Sequence, residues 1–315
     1  MKKISVLSLI LGIAIILVGC EGGGTGDAPA KSPYIGGNQG VVATFEPMGI
    51  IEDGINTVWT GETFPVHVTV KNKGEVDIVA SDTTTKHLTV TLKGVDTSLF
   101  AITTAESTRD NTAALEGLSE FNKLGGETTL QFKDNAVVAA LTTPYYDADF
   151  YANVDYDYTT YAAVPKVCFK QDLRDETICD ISGSKTVYSS GAPIKVTSVR
   201  EDPAGSDTLA LTFDIENVGG GRVTKVGEIF NPRYDKVGFS LSEAVPPASP
   251  VAGTIYWTCT SAGKTGEARL VDGKTQIRCK STTLPADTLY TKQVILTLDY
   301  KYRTVIQQSL RVKKN

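Results

Sequence analysis

The sequence predicts an all-β chain: two tandem antiparallel β-sandwiches, placed behind an N-terminal export segment and a glycine-rich tether. Three observations predict it. Apolar and polar residues alternate with period two over most of the chain after residue 40, which is the signature of half-buried strands. One alternating strand and its turn recur, as Phe64-Pro65-Val66-His67-Val68-Thr69-Val70-Lys71-Asn72-Lys73-Gly74 and, 145 positions later, as Leu209-Ala210-Leu211-Thr212-Phe213-Asp214-Ile215-Glu216-Asn217-Val218-Gly219. A second match follows at nearly the same offset of 144, Val154-Asp155-Tyr156-Asp157-Tyr158 against Leu298-Asp299-Tyr300-Lys301-Tyr302. Two matches at one offset make an internal repeat of a single structural unit.

The inward set of the first copy is Phe64, Val66, Val68 and Val70, and it maps onto Leu209, Leu211, Phe213 and Ile215. Further strands are expected at 41–45, 87–92, 128–132, 150–161, 164–170 and 176–181 in the first copy. In the second they are expected at 194–199, 237–241, 254–260, 275–279, 291–302 and 304–312. Six or seven short strands per copy, separated by Gly, Pro, Asp and Asn turns, suit two packed sheets. One helix is expected over 112–123, opened by Asn111 as N-cap, with Leu115, Leu118 and Phe121 at three-residue spacing. The resulting division is 1–19 signal peptide, 20–40 tether, 41–190 first sandwich and 191–315 second sandwich.

The N-terminus carries an address. Lys2 and Lys3 precede a run from Ile4 to Gly19 with no charge, 16 residues against the ~20 that span a bilayer as a helix, so a signal-peptide core is expected. The run ends at Leu17-Val18-Gly19-Cys20. These residues resemble the lipobox of prokaryotic lipoproteins, which implies that cleavage precedes Cys20, that its sulfur is diacylated, and that the mature chain is lipid-anchored outside the cytoplasm. Two acyl chains at ~0.8 kcal/mol per CH₂ hold a protein stably on a membrane where one would not. The tether of about twenty residues places the first folded residue on the order of 25 Å from the lipid, for a Gly-rich chain at ~5–6 Å × √n.

The chain has 5 Cys. With Cys20 assigned to lipid, the even remainder in an exported protein reads as two disulfides, with three connectivities open. Sequence neighbours are the favoured partners, Cys168 with Cys179 and Cys259 with Cys279.

Composition also excludes functions. A net charge of -5 and a pI near 5.2, without a basic cluster, argue against nucleic-acid binding. Two His, without a Cys-x-x-Cys or His-x-x-x-His pair, leave little for a transition-metal or histidine-based site, so neither a cofactor nor a transition metal is expected. Ala262-Gly263-Lys264-Thr265 imitates the end of a phosphate-binding loop, but Thr258 stands where its first Gly is needed, so a hairpin turn is expected. There is no Gly-x-Ser-x-Gly elbow, and no catalytic residues are assigned.

The densest chemistry lies in 144–158. Strand periodicity sends Tyr156 and Tyr158 to the core face and Asp155 and Asp157 to solvent. Tyr145, Tyr146, Asp147 and Asp149 are expected in the preceding loop, where rings stack on sugars and carboxylates coordinate Ca²⁺.

The alternating strand that ends in Asn-x-Gly, at Val66–Gly74 and Leu211–Gly219, resembles the CARDB and related immunoglobulin-like sandwich repeats of prokaryotic surface proteins. The resemblance implies immunoglobulin-like sandwiches and a non-enzymatic role in adhesion, spacing or ligand presentation, with a protein or glycan partner. It transfers no catalytic residues.

Overall fold

The computed structural model describes residues 31–81, 87–172, 179–242 and 255–315. The signal segment, Cys20 and the first part of the tether lie outside these, as do parts of the strands expected at 176–181 and 254–260. Ser32–Asn315 forms one compact unit. It is all-β: among the described residues the helical structure is a single 3-10 turn, Thr97–Phe100.

The strands run in chain order as β1 (Val41–Phe45), β2 (Ile50–Glu52), β3 (Ile55–Trp59), β4 (Thr63–Asn72), β5 (Leu88–Lys93), β6 (Thr108–Asp110), β7 (Glu127–Val137), β8 (Tyr145–Lys170) and β9 (Gly183–Lys185). They continue as β10 (Tyr188–Ser189), β11 (Ile194–Pro203), β12 (Leu209–Asn217), β13 (Arg222–Thr224), β14 (Asp235–Leu241), β15 (Trp257–Thr260), β16 (Glu267–Leu270), β17 (Lys274–Ser281) and β18 (Leu289–Lys313). A three-stranded sheet has the order β1-β4-β7, and a five-stranded sheet the order β15-β17-β12-β11-β9. The third sheet has ten strands, with the path β16-β14-β18-β8-β5-β6 and with β2, β3, β10 and β13 attached beside it.

The repeat is real in three dimensions. In β4 and β12 both inward sets are buried, and each strand is the centre of its own small sheet. Registers match as well: Val41 lies opposite Asn72 and Ile194 opposite Asn217, while Thr128 lies opposite Val70 and Thr275 opposite Ile215. In the large sheet, Leu88, Val90 and Leu92 of β5 have Val237, Phe239 and Leu241 of β14 as counterparts, all buried.

The strands expected as four short pieces are two long ones. β8 and β18 pair antiparallel from Tyr145↔Lys313 to Lys170↔Leu289. Pro165, which cannot donate a ladder hydrogen bond, does not end β8: Pro165 and Lys166 lie between the pairs Val164↔Val294 and Val167↔Lys292, opposite the single Gln293, as a bulge. Asp157 lies opposite Lys301, its own counterpart in the repeat. A residue that faces its own copy in an antiparallel pair marks a local two-fold axis, so the two copies are joined like a symmetric dimer, edge strand to edge strand. Both copies therefore share the ten-stranded sheet.

Four tyrosines surround this axis on one face. Tyr156 lies opposite Tyr302 with ring centroids 5.7 Å apart, and Tyr158 opposite Tyr300 at 6.3 Å. All four are buried, and each ring of 150–250 Å² contributes roughly 4–6 kcal/mol of transfer free energy before entropy is counted. The hydroxyls of Tyr158 and Tyr302 reach the turns that leave β4 and β12. Tyr158 Oη accepts from Val76 N at 3.1 Å, and Tyr302 Oη accepts from Gly221 N at 2.7 Å, the equivalent position 145 residues on. Tyr302 also donates to Asn217 Oδ1 at 2.8 Å, and Tyr300 shares a hydrogen bond of 2.8 Å with Thr160 Oγ1.

This explains the repeated Asn-x-Gly. Asn72 Nδ2 closes the turn on Val76 O at 2.8 Å, and Asn217 Nδ2 does so on Gly221 O at 2.7 Å. The glycines make room for the hydroxyls: a Cβ on Gly74 would stand 2.0 Å from Tyr158 Oη, and one on Gly219 would stand 2.5 Å from Tyr302 Oη. Both turns meet on one segment, since Glu75 N donates to Gly191 O and Val218 N to Pro193 O.

The helix expected over 112–123 is absent. Leu115 instead makes an antiparallel bridge to Ile78, and Asn111 is no helix cap. Its buried amide accepts from Leu88 N at 2.8 Å and donates to Val79 O and Ala113 O, a long-range network that outcompetes local helix formation at a sequence weakened by Gly117.

The cysteines pair as expected, Cys168–Cys179 and Cys259–Cys279. Cys259 and Cys279 lie directly opposite on β15 and β17. Cys168 N donates to the buried Glu201 carboxylate, which also takes an ion pair from Lys185 at 2.9 Å. Burial, acting against Lys185, pushes the Glu201 carboxyl above the ordinary range.

Two outcomes are expected in denaturant unfolding. Tyr302→Phe removes the partner of Gly221 N–H and Asn217 and lowers stability by about 1–2 kcal/mol, whereas Gly74→Ala, which drives a methyl into Tyr158, costs more. Replacing Cys259 and Cys279 together by Ser, which opens a loop of sequence separation 20, costs about 3 kcal/mol.

Candidate functional site

The four residues singled out for ligand binding do not form a loop. Tyr145, Tyr146, Asp147 and Asp149 are the opening residues of β8, held in register with the end of β18. The physical reason is the partner strand: Val312, Arg311 and Ser309 offer a ladder that a segment without a pairing edge would lack. Alternation then divides the four. Tyr146 turns inward, 6.4 Å from the Phe100 ring, while Tyr145, Asp147 and Asp149 face outward.

The outward groups are engaged by β18. Arg311 holds Asp147 bidentately, Nε to Oδ1 at 2.6 Å and Nη2 to Oδ2 at 2.8 Å, and its guanidinium lies 5.0 Å from the Tyr145 ring centroid. Ser309 Oγ donates to Asp149 Oδ1 at 2.6 Å. Six residues beyond Asp149 on the same face, Arg303 holds Asp155 bidentately at 2.6 Å on both oxygens. Asp155 thus faces out as expected, but in an ion pair. The hydrogen bonds from Arg311 hold the Asp147 carboxyl below the usual carboxylate range, and Asp147 raises Arg311 in turn. Arg311 and Lys313 pair with Asp147 and Glu52.

What remains for a ligand is the Tyr145 ring, 55 % exposed, with its polar neighbours already bonded. A Ca²⁺ ion would have to displace Arg311 from Asp147. Among the described residues no group of three or more His, Cys, Asp or Glu side chains is placed to hold a metal ion.

One of the two histidines and the phosphate-loop imitation are placed as follows. His67 Nε2 lies 2.7 Å from Asp134 Oδ1 on the outer face of β4. Ala262 and Gly263 form a tight hairpin turn, with positive φ at both and reciprocal hydrogen bonds between Ser261 and Lys264, as the failed phosphate-loop match anticipates.

A polar cleft of about 660 Å³ on the outer face of the five-stranded sheet was not foreseen; Asp214, Glu216, Arg269, Lys274 and Gln276 are among its lining residues. The alternation of β12 does send Asp214 and Glu216 outward, and that was the available signal. The facing strand β17, which supplies Lys274 and Gln276, had no sequence link to them. Here too the carboxylates are occupied: Asp214 accepts from Gln276 Nε2 at 2.8 Å, and Glu216 pairs with Lys274 at 3.3 Å.

No protein-family model matches the chain, and no curated protein is similar to it in sequence.

In an NMR titration the Asp147 carboxyl is expected to titrate below ordinary aspartates, and Arg311→Ala to return it to the ordinary range. The sign for stability follows: a depressed carboxyl contributes above its unfolded pKa and loses that contribution as pH falls through the folded one. Glu106, held at about 2 by Lys133 and Thr103, behaves the same way at the acid end.

Proposed function

We propose that the protein is an exported lipoprotein, anchored to a membrane through diacylated Cys20, whose two immunoglobulin-like halves act as one rigid, non-enzymatic scaffold for binding or presentation at the cell surface. The observation that carries this reading is the fusion of the halves through β8 and β18. Tandem sandwiches joined by a linker can bend, whereas two copies sharing one sheet about a two-fold axis hold a fixed relation. Supporting it are the lipobox, two intrachain disulfides of the kind that persist outside the cytoplasm, and outward acids committed to arginine and serine partners.

A carbohydrate-binding variant of this role rests on the exposed Tyr145 ring beside Arg311, a stacking platform with an adjacent donor. It needs no Ca²⁺, because Arg311 already neutralises Asp147. An envelope-assembly or secretion role, in which sheet edges pair with a partner strand, is the remaining reading.

The anchor is tested by Cys20→Ser. The unsubstituted chain is expected to stay with membranes through high salt and carbonate washing and to enter the detergent phase on partitioning. The variant is expected to leave both. Retention of Cys20→Ser in the detergent phase would overturn the anchor.

A further inference from the structure

Outside the sites described so far, the most exposed apolar feature is the turn that replaces the expected helix. Phe121 is 99 % exposed and Leu124 70 %, and Ile35, 55 % exposed, lines a depression of about 480 Å³ together with Leu118 and Lys123. A lone exposed apolar residue is ordinary; three at one place are not.

The turn is tightly built. Ser119 N donates to Asn122 O at 2.9 Å, Gly125 N to Asn122 Oδ1 at 3.0 Å, and Leu118 N to Gly74 O at 2.7 Å. Asn122 N also donates to Ser119 Oγ at 2.9 Å, so the turn is closed on itself while the Phe121 ring stands in solvent. Ile35 is fixed beside it, because Gly36 N donates to the Glu75 carboxylate just past the Asn72-x-Gly74 turn.

The chain outside the folded unit ends at this place. Ile35 follows Cys20 by 15 residues, a span of at most about 50 Å fully extended. A lipid on Cys20 would keep the patch within that distance of the bilayer and make the contact intramolecular, so that a modest affinity suffices to populate it.

We propose that Ile35, Phe121 and Leu124 form a membrane-contact face, with the Phe121 ring inserted at the interface of the bilayer that holds the anchor. The proposal rests on the lipoprotein reading and adds an orientation to it. Recognition is apolar: the turn carries Glu120 beside Lys123, so attraction to anionic headgroups is not what holds it.

The test uses the full lipidated chain in phosphatidylcholine vesicles with ordinary or brominated acyl chains. Two single variants each introduce an indole reporter: Phe121→Trp, and Ile229→Trp as a control in the loop before Phe230, which packs on Arg303 of the outer sheet face. The unsubstituted chain supplies the background of Trp59 and Trp257. For Phe121→Trp, emission is expected to shift to the blue on reconstitution and to be quenched by brominated lipid, unchanged by salt; for Ile229→Trp, neither is expected. Vesicle flotation that persists while the Phe121→Trp signal stays unquenched overturns the contact face and leaves the anchor standing. A blue shift without quenching means that protein, not lipid, covers the patch, and overturns it too. Equal quenching of both variants removes the orientation. Failure of the chain to float overturns the anchor and, with it, this proposal.

Discussion

The antiparallel pairing of β8 with β18, sealed by the four tyrosines at its centre, is the constraint on which the rest of the structure depends. Each strand contributes two rings to one face, and each ring carries a hydroxyl that cannot be buried unpaired without a cost of about 1–3 kcal/mol. The turns that leave β4 and β12 supply partners. Val76 and Gly221 donate to Tyr158 and Tyr302, which fixes both Asn-x-Gly turns over the two-fold axis and allows only glycine where the hydroxyl passes. Burial pushes the Tyr302 hydroxyl up to about 12, and those of Tyr156 and Tyr300 well above their usual value, so the cluster stays neutral and donating through the physiological range.

From this centre the architecture is nearly duplicated. The strands β5 and β6 flank β8 as β14 and β16 flank β18, and the three-stranded sheet has its counterpart in the strands β11, β12 and β17 of the five-stranded one. The departures from symmetry are informative. Cys259–Cys279 joins β15 to β17, while Cys168–Cys179 lies at the end of β8 next to Phe169, whose ring is 5.9 Å from that of Trp257. The first copy also has the bridge between Ile78 and Leu115, the Asn111 network and the apolar turn that follows.

The outer face of β8 and β18 shows how a sequence rich in acids and aromatics becomes a closed surface. Taken alone, Asp147 and Asp149 read as free ligands and Asp155 as a solvated side chain, because their partners Arg311, Ser309 and Arg303 lie about 150 to 165 residues away. Once the strands pair, each acid finds a donor directly opposite. On this face the ring of Tyr145 stays exposed beside the Arg311–Asp147 pair.

The sequence by itself determined the strand class, the repeat offset, the inward residues of β4 and β12 and the burial of Tyr156 and Tyr158, and it favoured the observed cysteine pairs among three open connectivities. All of these follow from local periodicity or from short separations. Only the tertiary structure decided that the expected pieces of β8 and β18 are continuous, that the two copies share a sheet, and that 112–123 is not a helix. It also decided which acids are spent on partners. Strand alternation states which way a side chain points, but the group that meets it there is set by register between strands far apart in the chain, and register becomes visible only when the strands have paired.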